Sequence, residues 1–271
     1  MTRPELLEKY MTSALSMRRD ILELAHSGGG NGAHIAPALS IVEIMAVIYL
    51  HAMNHGPDGG DIFVLSTGPG ALAYYAALQA AGLISREQLF EYEVDGGPLP
   101  GQPSKNLSLG IAYSGGSLGL GLSFACGLAF ASRMRGDGAR VFVLMGDGEL
   151  DEGSVWESAL FAGHHKLSNI IAVVDRNSMQ SDGSTGQILD IDAESLWRSS
   201  GWHVKVCDGH DVGSLVDSFD EIPRGAPCVI IANTVKGKGV SFMENNNDWH
   251  HNRLSEEQLN DALRELDGLK C

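Results

Sequence analysis

The sequence predicts an α/β fold, with a mostly parallel sheet covered by helices on both faces. Three observations predict it. Short, wholly apolar runs such as those at 141–145 and 170–174 alternate with helix-length segments. Strands that alternate with helices build parallel sheets rather than sandwiches or bundles. No Pro/Gly/Ser-rich linker divides the 271 residues, so one domain spanning 1–271 is expected.

Taken in order, residues 4–26 space their apolar positions for a helix packed on one face, and the strongly apolar stretch 37–51 predicts a second helix. Residues 61–65 read as a buried strand, followed by a helix over 70–81. The stretch 92–111 is rich in Gly and Pro and has no period. It is expected as a long loop, a kind of segment that is often functional in compact domains. Residues 118–135, small and apolar, predict a helix central to the fold. Strand 141–145, helix 154–166 and strand 170–174 then form a βαβ unit. Two strands near 202–207 and 227–233 and an amphipathic helix over 255–268 complete the chain. No internal repeat or low-complexity segment interrupts this order.

Composition narrows the function. Nineteen Lys+Arg against 34 Asp+Glu give a net charge of −15, which disfavours nucleic acid and anionic membranes as partners. A phosphorylated substrate would have to be met by local donors. No run of eighteen apolar residues occurs, and the opening MTRPELLEKY is not a secretory signal. Cys126, Cys207, Cys228 and Cys271 form no CxxC pair and are expected as reduced thiols in a cytoplasmic protein.

The chemistry is concentrated in Gly146-Asp147-Gly148-Glu149 and in Asn177, thirty positions after Asp147. Each group follows an apolar run, so both stand at carboxyl ends of strands, where open parallel sheets bind ligands. A carboxylate can neutralise a divalent cation and an amide oxygen can add to it, while the two glycines let backbone approach a diphosphate closely. This string resembles the diphosphate-binding motif of thiamine-diphosphate enzymes.

Further segments extend the resemblance to transketolase over nearly the whole chain, as a match to the N-terminal, diphosphate-binding half of that family. They are Asp61-Ile62-Phe63-Val64-Leu65-Ser66, Gly115-Gly116-Ser117-Leu118-Gly119, Gly201-Trp202, Asp208-Gly209-His210-Asp211, and the run from Thr234 to Val240 followed by Trp249-His250. The resemblance implies a single thiamine-diphosphate-binding domain and the N-terminal subunit of a split transketolase. It would be active only with a C-terminal partner that carries the pyrimidine-binding domain and its glutamate, in an α₂β₂ heterotetramer.

The implied activity is that of a thiamine-diphosphate-dependent transferase, moving a two-carbon ketol unit from a ketose or ketose-phosphate donor to an acceptor. The alternative acceptor is a lipoyl or acyl-carrier protein, as in 2-oxoacid dehydrogenase complexes. The resemblance places Mg²⁺ or Ca²⁺ on Asp147, Asn177 and the Met179 carbonyl. It assigns cofactor contacts to Gly116, Ser117, Leu118, Gly146, Asp147, Gly148, Glu149, Asn177, Met179 and His250, and the substrate wall to His34, Gln102 and His250. Glu152 matches a glutamate near the dimer centre. His26, His51, His55, His203 and His210 are read as structural, and His164 and His165 as exposed or as partners of a helix C-terminus. Two departures stand out. Pro69 and Gln102 occupy positions where the family carries histidines that face cofactor and substrate, which implies altered substrate handling.

Overall fold

The structure, a computed structural model, describes residues 1–28, 30–56 and 60–268. Cys271 therefore lies outside the described residues. The strands are β1 (Ile62–Leu65), β2 (Val141–Gly146), β3 (Ile170–Arg176), β4 (Met179–Gln180), β5 (Gly183–Ser184), β6 (His203–Asp208) and β7 (Cys228–Asn233). Five of them pair in parallel in the order β1-β2-β3-β7-β6, and β4 and β5 form a small antiparallel hairpin. The helices are α1 (Arg3–Ser27), α2 (Ile35–Ser40), α3 (Val42–Val47), α4 (Ala71–Ala80), α5 (Arg86–Leu89), α6 (Gly121–Arg135), α7 (Gly153–His164), α8 (Thr185–Ile188), α9 (Ala193–Ser199), α10 (Val212–Asp220) and α11 (Glu256–Gly268).

The wholly apolar strands are explained by two cores, one on each face. Successive side chains point to opposite faces of a strand. Phe142 and Leu144 of β2, Ile171 and Val173 of β3, and Ile230 and Ala232 of β7 thus join α1–α4, α10 and α11 in one core. Val141, Val143, Met145, Ile170, Ala172, Val174, Val229 and Ile231 join α6, α7 and Trp197 of α9 in the other. Both faces are covered, as the sequence predicts.

Two expected helices differ. The segment 37–51 is not one helix: it breaks at Ile41 (φ −105°, ψ 11°) into α2 and α3, then widens into a π-turn over Ile48–Ala52. The break has a tertiary setting. Ser40 donates to Asp175 at 2.8 Å, and Ile41 lines the cleft described below, so the break falls at the site. The helix expected over 118–135 starts only at Gly121, because Gly119 takes a left-handed turn (φ +79°) and gives its N–H to Glu149. Nor is it central, since Leu120 and Phe124 are 47% and 37% exposed.

Gly163 marks the tightest helix contact. A Cβ built there would stand 1.7 Å from the Ser200 carbonyl oxygen, a backbone obstacle that cannot swing aside. Gly163→Ala is expected to destabilise the chain by ~1–3 kcal/mol or more through overpacking, read as a lowered midpoint in urea unfolding.

Candidate cofactor site

The carboxyl ends of β1, β2, β3 and β7 open into one cleft of about 430 Å³, reached by Thr67, Asp147, Asn177 and Lys236 respectively. This edge of a parallel sheet is where α/β folds place ligands.

Asp147 follows β2 directly. Its Oδ1 accepts the Gly148 N–H at 2.8 Å and its Oδ2 accepts the Ser178 N–H at 2.5 Å. The second bond is possible because Ser178 adopts a left-handed conformation (φ +62°), which folds the turn after β3 back toward β2. Asn177 donates Nδ2 to Asp175 Oδ2 at 2.7 Å, which fixes its amide, while its Oδ1 accepts the Met179 N–H at 2.9 Å. Asp175 is buried and also accepts from Ser40 and Thr234. Two carboxylates therefore share one buried wall. Burial and then the neighbouring Asp175 push the Asp147 carboxyl up to about 7, against the pull of the Ser178 and Gly148 N–H groups.

Glu149 lines the cleft, yet its carboxylate is spent inside the protein. Oε1 accepts from the Ser66 hydroxyl and from the Gly119 N–H (2.8 Å), and Oε2 accepts the Gly146 N–H at 3.3 Å. It ties three loops of the cleft together. Gly148 packs tightly too, since a Cβ there would meet Gln180 Cβ at 2.7 Å.

The same cleft carries a positive charge. Lys236 is 1% exposed and its Nζ lies 2.9 Å from both Asn247 Oδ1 and His250 Nδ1. Burial pulls it down to about 8, against the attraction of Asp147 and Asp175. Burial also holds His34 and His250 down at about 4, helped by their histidine neighbours and by Lys236. Both imidazoles are thus neutral at neutral pH, and their rings meet edge to face at 5.4 Å. Of these three groups, Lys236 alone is a cation there.

The cleft gathers His34, Gln102, Gly116, Leu118, Gly146, Asp147, Gly148, Glu149, Asn177, Met179 and His250; Ser117 is not among its lining residues. Pro69 and Gln102 stand together at its rim, and Gln102 packs over Gly68. Glu152 is exposed at the N-cap of α7. Sequence reasoning missed Lys236 and Asp175. The signal for Lys236 was a lysine between a strand end and a glycine turn; for Asp175 there was none beyond its place at a strand end.

The donor set fits a hard divalent cation bound together with an anion. Carboxylate and amide oxygens stand at one wall, and among the described residues no cluster of three or more His, Cys, Asp or Glu offers a softer metal a better place. A cation at Asp147 would relieve the crowding of the two carboxylates, and Lys236 faces them with the charge that a diphosphate requires.

Comparison with known proteins agrees with this geometry. Residues 11–270 match the family described as transketolase, thiamine diphosphate binding domain. The chain is 40% identical to an apulose-4-phosphate transketolase subunit of Actinobacillus succinogenes, over 93% of this chain and 94% of that protein. It is 39% identical to 6-deoxy-6-sulfo-D-fructose transketolase subunit SqwG of a Clostridium species, over 91% and 92%. Against longer transketolases it spans less than half: 40% of the human protein, at 35% identity, and 43% of the Campylobacter jejuni structure, at 25% identity and a TM-score of 0.85. The chain belongs to the transketolase family, as a thiamine-diphosphate-binding domain of its N-terminal type.

Proposed function

We propose that the chain is the N-terminal subunit of a split transketolase that transfers a two-carbon ketol unit from a ketose or ketose-phosphate donor to a sugar acceptor. The observation that carries this reading is the gathering of Asp147, Asn177 and Lys236 in one cleft at the carboxyl edge of the sheet. The metal, Mg²⁺ or Ca²⁺, would sit on Asp147, Asn177 and the Met179 carbonyl. Thiamine diphosphate, when bound, supplies the carbon nucleophile and the electron sink for breaking and remaking a carbon–carbon bond. Lys236 balances the diphosphate charge. Neutral His34 offers a hydrogen-bond donor and an acceptor to substrate hydroxyls, His250, whose Nδ1 accepts from Lys236, offers its Nε2–H donor, and Gly116 and Leu118 wall the cofactor.

The partner is a C-terminal-half subunit in an α₂β₂ assembly, supported by relatives of nearly equal length that are themselves named as subunits of transketolases. Those names concern sugars, which favours a sugar acceptor over a lipoyl or acyl-carrier protein. The compartment is the cytoplasm, supported by the buried free thiols of Cys126, Cys207 and Cys228.

The test is ketol transfer by the chain co-purified with a transketolase C-terminal half, beside the chain alone. Transfer should need both chains and added thiamine diphosphate with metal, and transfer by the lone chain would overturn the split-enzyme reading. Pro69 and Gln102 place a ring without donors and a neutral amide at the rim, so ordinary aldose phosphates should be poor acceptors. Gln102→His should raise their kcat/KM by about tenfold, the order expected of one added charge-assisted hydrogen bond. Wild-type turnover of ordinary aldose phosphates in the ~10⁴–10⁸ M⁻¹s⁻¹ range would refute this specificity.

A further inference from the structure

The Asp208-Gly209-His210-Asp211 turn between β6 and α10 divides its labour. Asp208 accepts the His210 N–H at 2.8 Å, closing the turn, and Asp211 accepts the Ser214 N–H at 3.1 Å as the N-cap of α10. The His210 ring takes neither task. Its Nε2 accepts the Val235 N–H at 2.8 Å, so the remaining ring proton belongs to Nδ1, which donates to Glu43 Oε2 at 3.0 Å. Glu43 is gripped on both oxygens by Arg18, at 2.5 and 2.9 Å. Arg18 in turn donates Nε to the Lys238 carbonyl at 3.1 Å.

These bonds form a closed circuit. It leaves the segment after β7 at Val235 N–H, passes through His210, Glu43 and Arg18, and returns at Lys238 C=O. The Gly237 N–H adds a third anchor on the Ala36 carbonyl at 3.0 Å. Lys236, the cation of the cleft, lies inside this loop of bonds next to Gly237, and its main chain is held from both sides.

We propose that His210 is a positioning residue that holds the backbone beside Lys236 so that the ammonium group stays in the cleft, facing Asp147. Histidine suits the task because one rigid ring can accept a backbone N–H at one nitrogen and donate to a carboxylate from the other, in a single tautomer. The competing reading is that the ring only fills the β6–α10 turn. On that reading its loss would lower stability without moving the 235–238 segment. The ligand half of the proposal rests on the cofactor reading above.

The experiment has two arms. In the ligand-free chain, hydrogen exchange is followed at the amides of 235–238, with β2 as the internal reference. His210→Phe keeps an aromatic ring and removes the acceptor. It should speed exchange there by about tenfold, the effect of losing ~1.4 kcal/mol of local protection, and leave β2 unchanged. His210→Gln, which keeps an acceptor, should restore most of the protection. In the second arm, Mg²⁺–thiamine diphosphate is titrated and tryptophan fluorescence read, since Trp249 adjoins His250. His210→Phe should weaken binding by about fivefold to tenfold, and add nothing further in a Lys236→Met background.

Unchanged exchange at 235–238 in His210→Phe overturns the proposal, and so do binding losses for the two substitutions that simply add. Should His210→Phe not fold, His210→Asn, too short to span to Val235, takes its place in both arms. The second arm uses the chain co-purified with the C-terminal half; a wild-type complex that does not bind the cofactor would count against the proposed function, and the exchange arm would still decide the role of His210.

Discussion

Asp147→Ala should weaken metal–thiamine diphosphate binding by at least about tenfold, or ~1.4 kcal/mol, and by more than Asn177→Ala does. Asp147 supplies the full charge at the metal wall, while Asn177 supplies one neutral oxygen. Asp147 is also the acceptor that draws the Ser178 N–H across from the turn after β3, so its loss frees the very loop that carries Asn177 and Met179. Calorimetry gives the affinity. Thermal unfolding gives a second reading, because a ligand at a hundredfold over its Kd stabilises the folded state by about 2.7 kcal/mol. The wild-type chain should show such a rise with metal and cofactor, and Asp147→Ala should not at the same concentrations. A mutant that binds like wild type would remove Asp147 from the metal site.

Glu43→Ala should cost ~3–5 kcal/mol of stability, the range for removing one partner of a buried ion pair. The Arg18 guanidinium is nearly buried beneath α3 and would be left without its carboxylate. Burial alone would raise the Glu43 carboxyl, but Arg18 and then His210 overcome it and hold it down at about 2, against an ordinary value of 4.5. The sign follows from linkage. A carboxylate depressed in the folded state contributes stability that is fully present above about 4.5 and is lost as pH falls through about 2. Urea unfolding across pH 2–6 should show that acid slope in wild type and a shallower one in Glu43→Gln. An alanine mutant within ~0.5 kcal/mol of wild type at neutral pH would show that the pair is not buried in solution. Replacing Arg18 and Glu43 together by apolar residues should cost less than either change alone.

Much of this was legible in the sequence. Uninterrupted apolar runs with intervening helices pointed to the parallel sheet, because strands buried on both faces must be apolar on both faces. The spacing from Asp147 to Asn177 pointed to two groups that line one cleft, because it measures one strand–helix–strand unit. Illegible were features decided by contacts distant in sequence. Nothing local marks the break of 37–51 at Ile41; it falls beside Ser40, whose partner Asp175 lies 135 positions on. Glu149 lines the cleft where the resemblance places it, but that Ser66 and Gly119 also claim its oxygens is visible only in the fold. Lys236 is one of two lysines in a glycine-rich run, and only the fold shows that it is buried and lines the cleft while Lys238 does not.

The strand order carries a consequence for synthesis on the ribosome. β7 is made after β3 and β6 yet lies between them. Until it emerges, those two strands have a gap where each has its native neighbour. Thr234, which caps Asp175, and Lys236, which answers Asp147, both follow β7 and arrive later still. A nascent chain thus holds its acidic wall open to water over the 89 positions from Asp147 to Lys236, and the slot closes from within the sheet rather than from an edge. Cofactor cannot act as a template for early folding in such a chain. It can be captured only by a chain that has nearly finished, which makes holoenzyme formation a step that follows folding of the sheet.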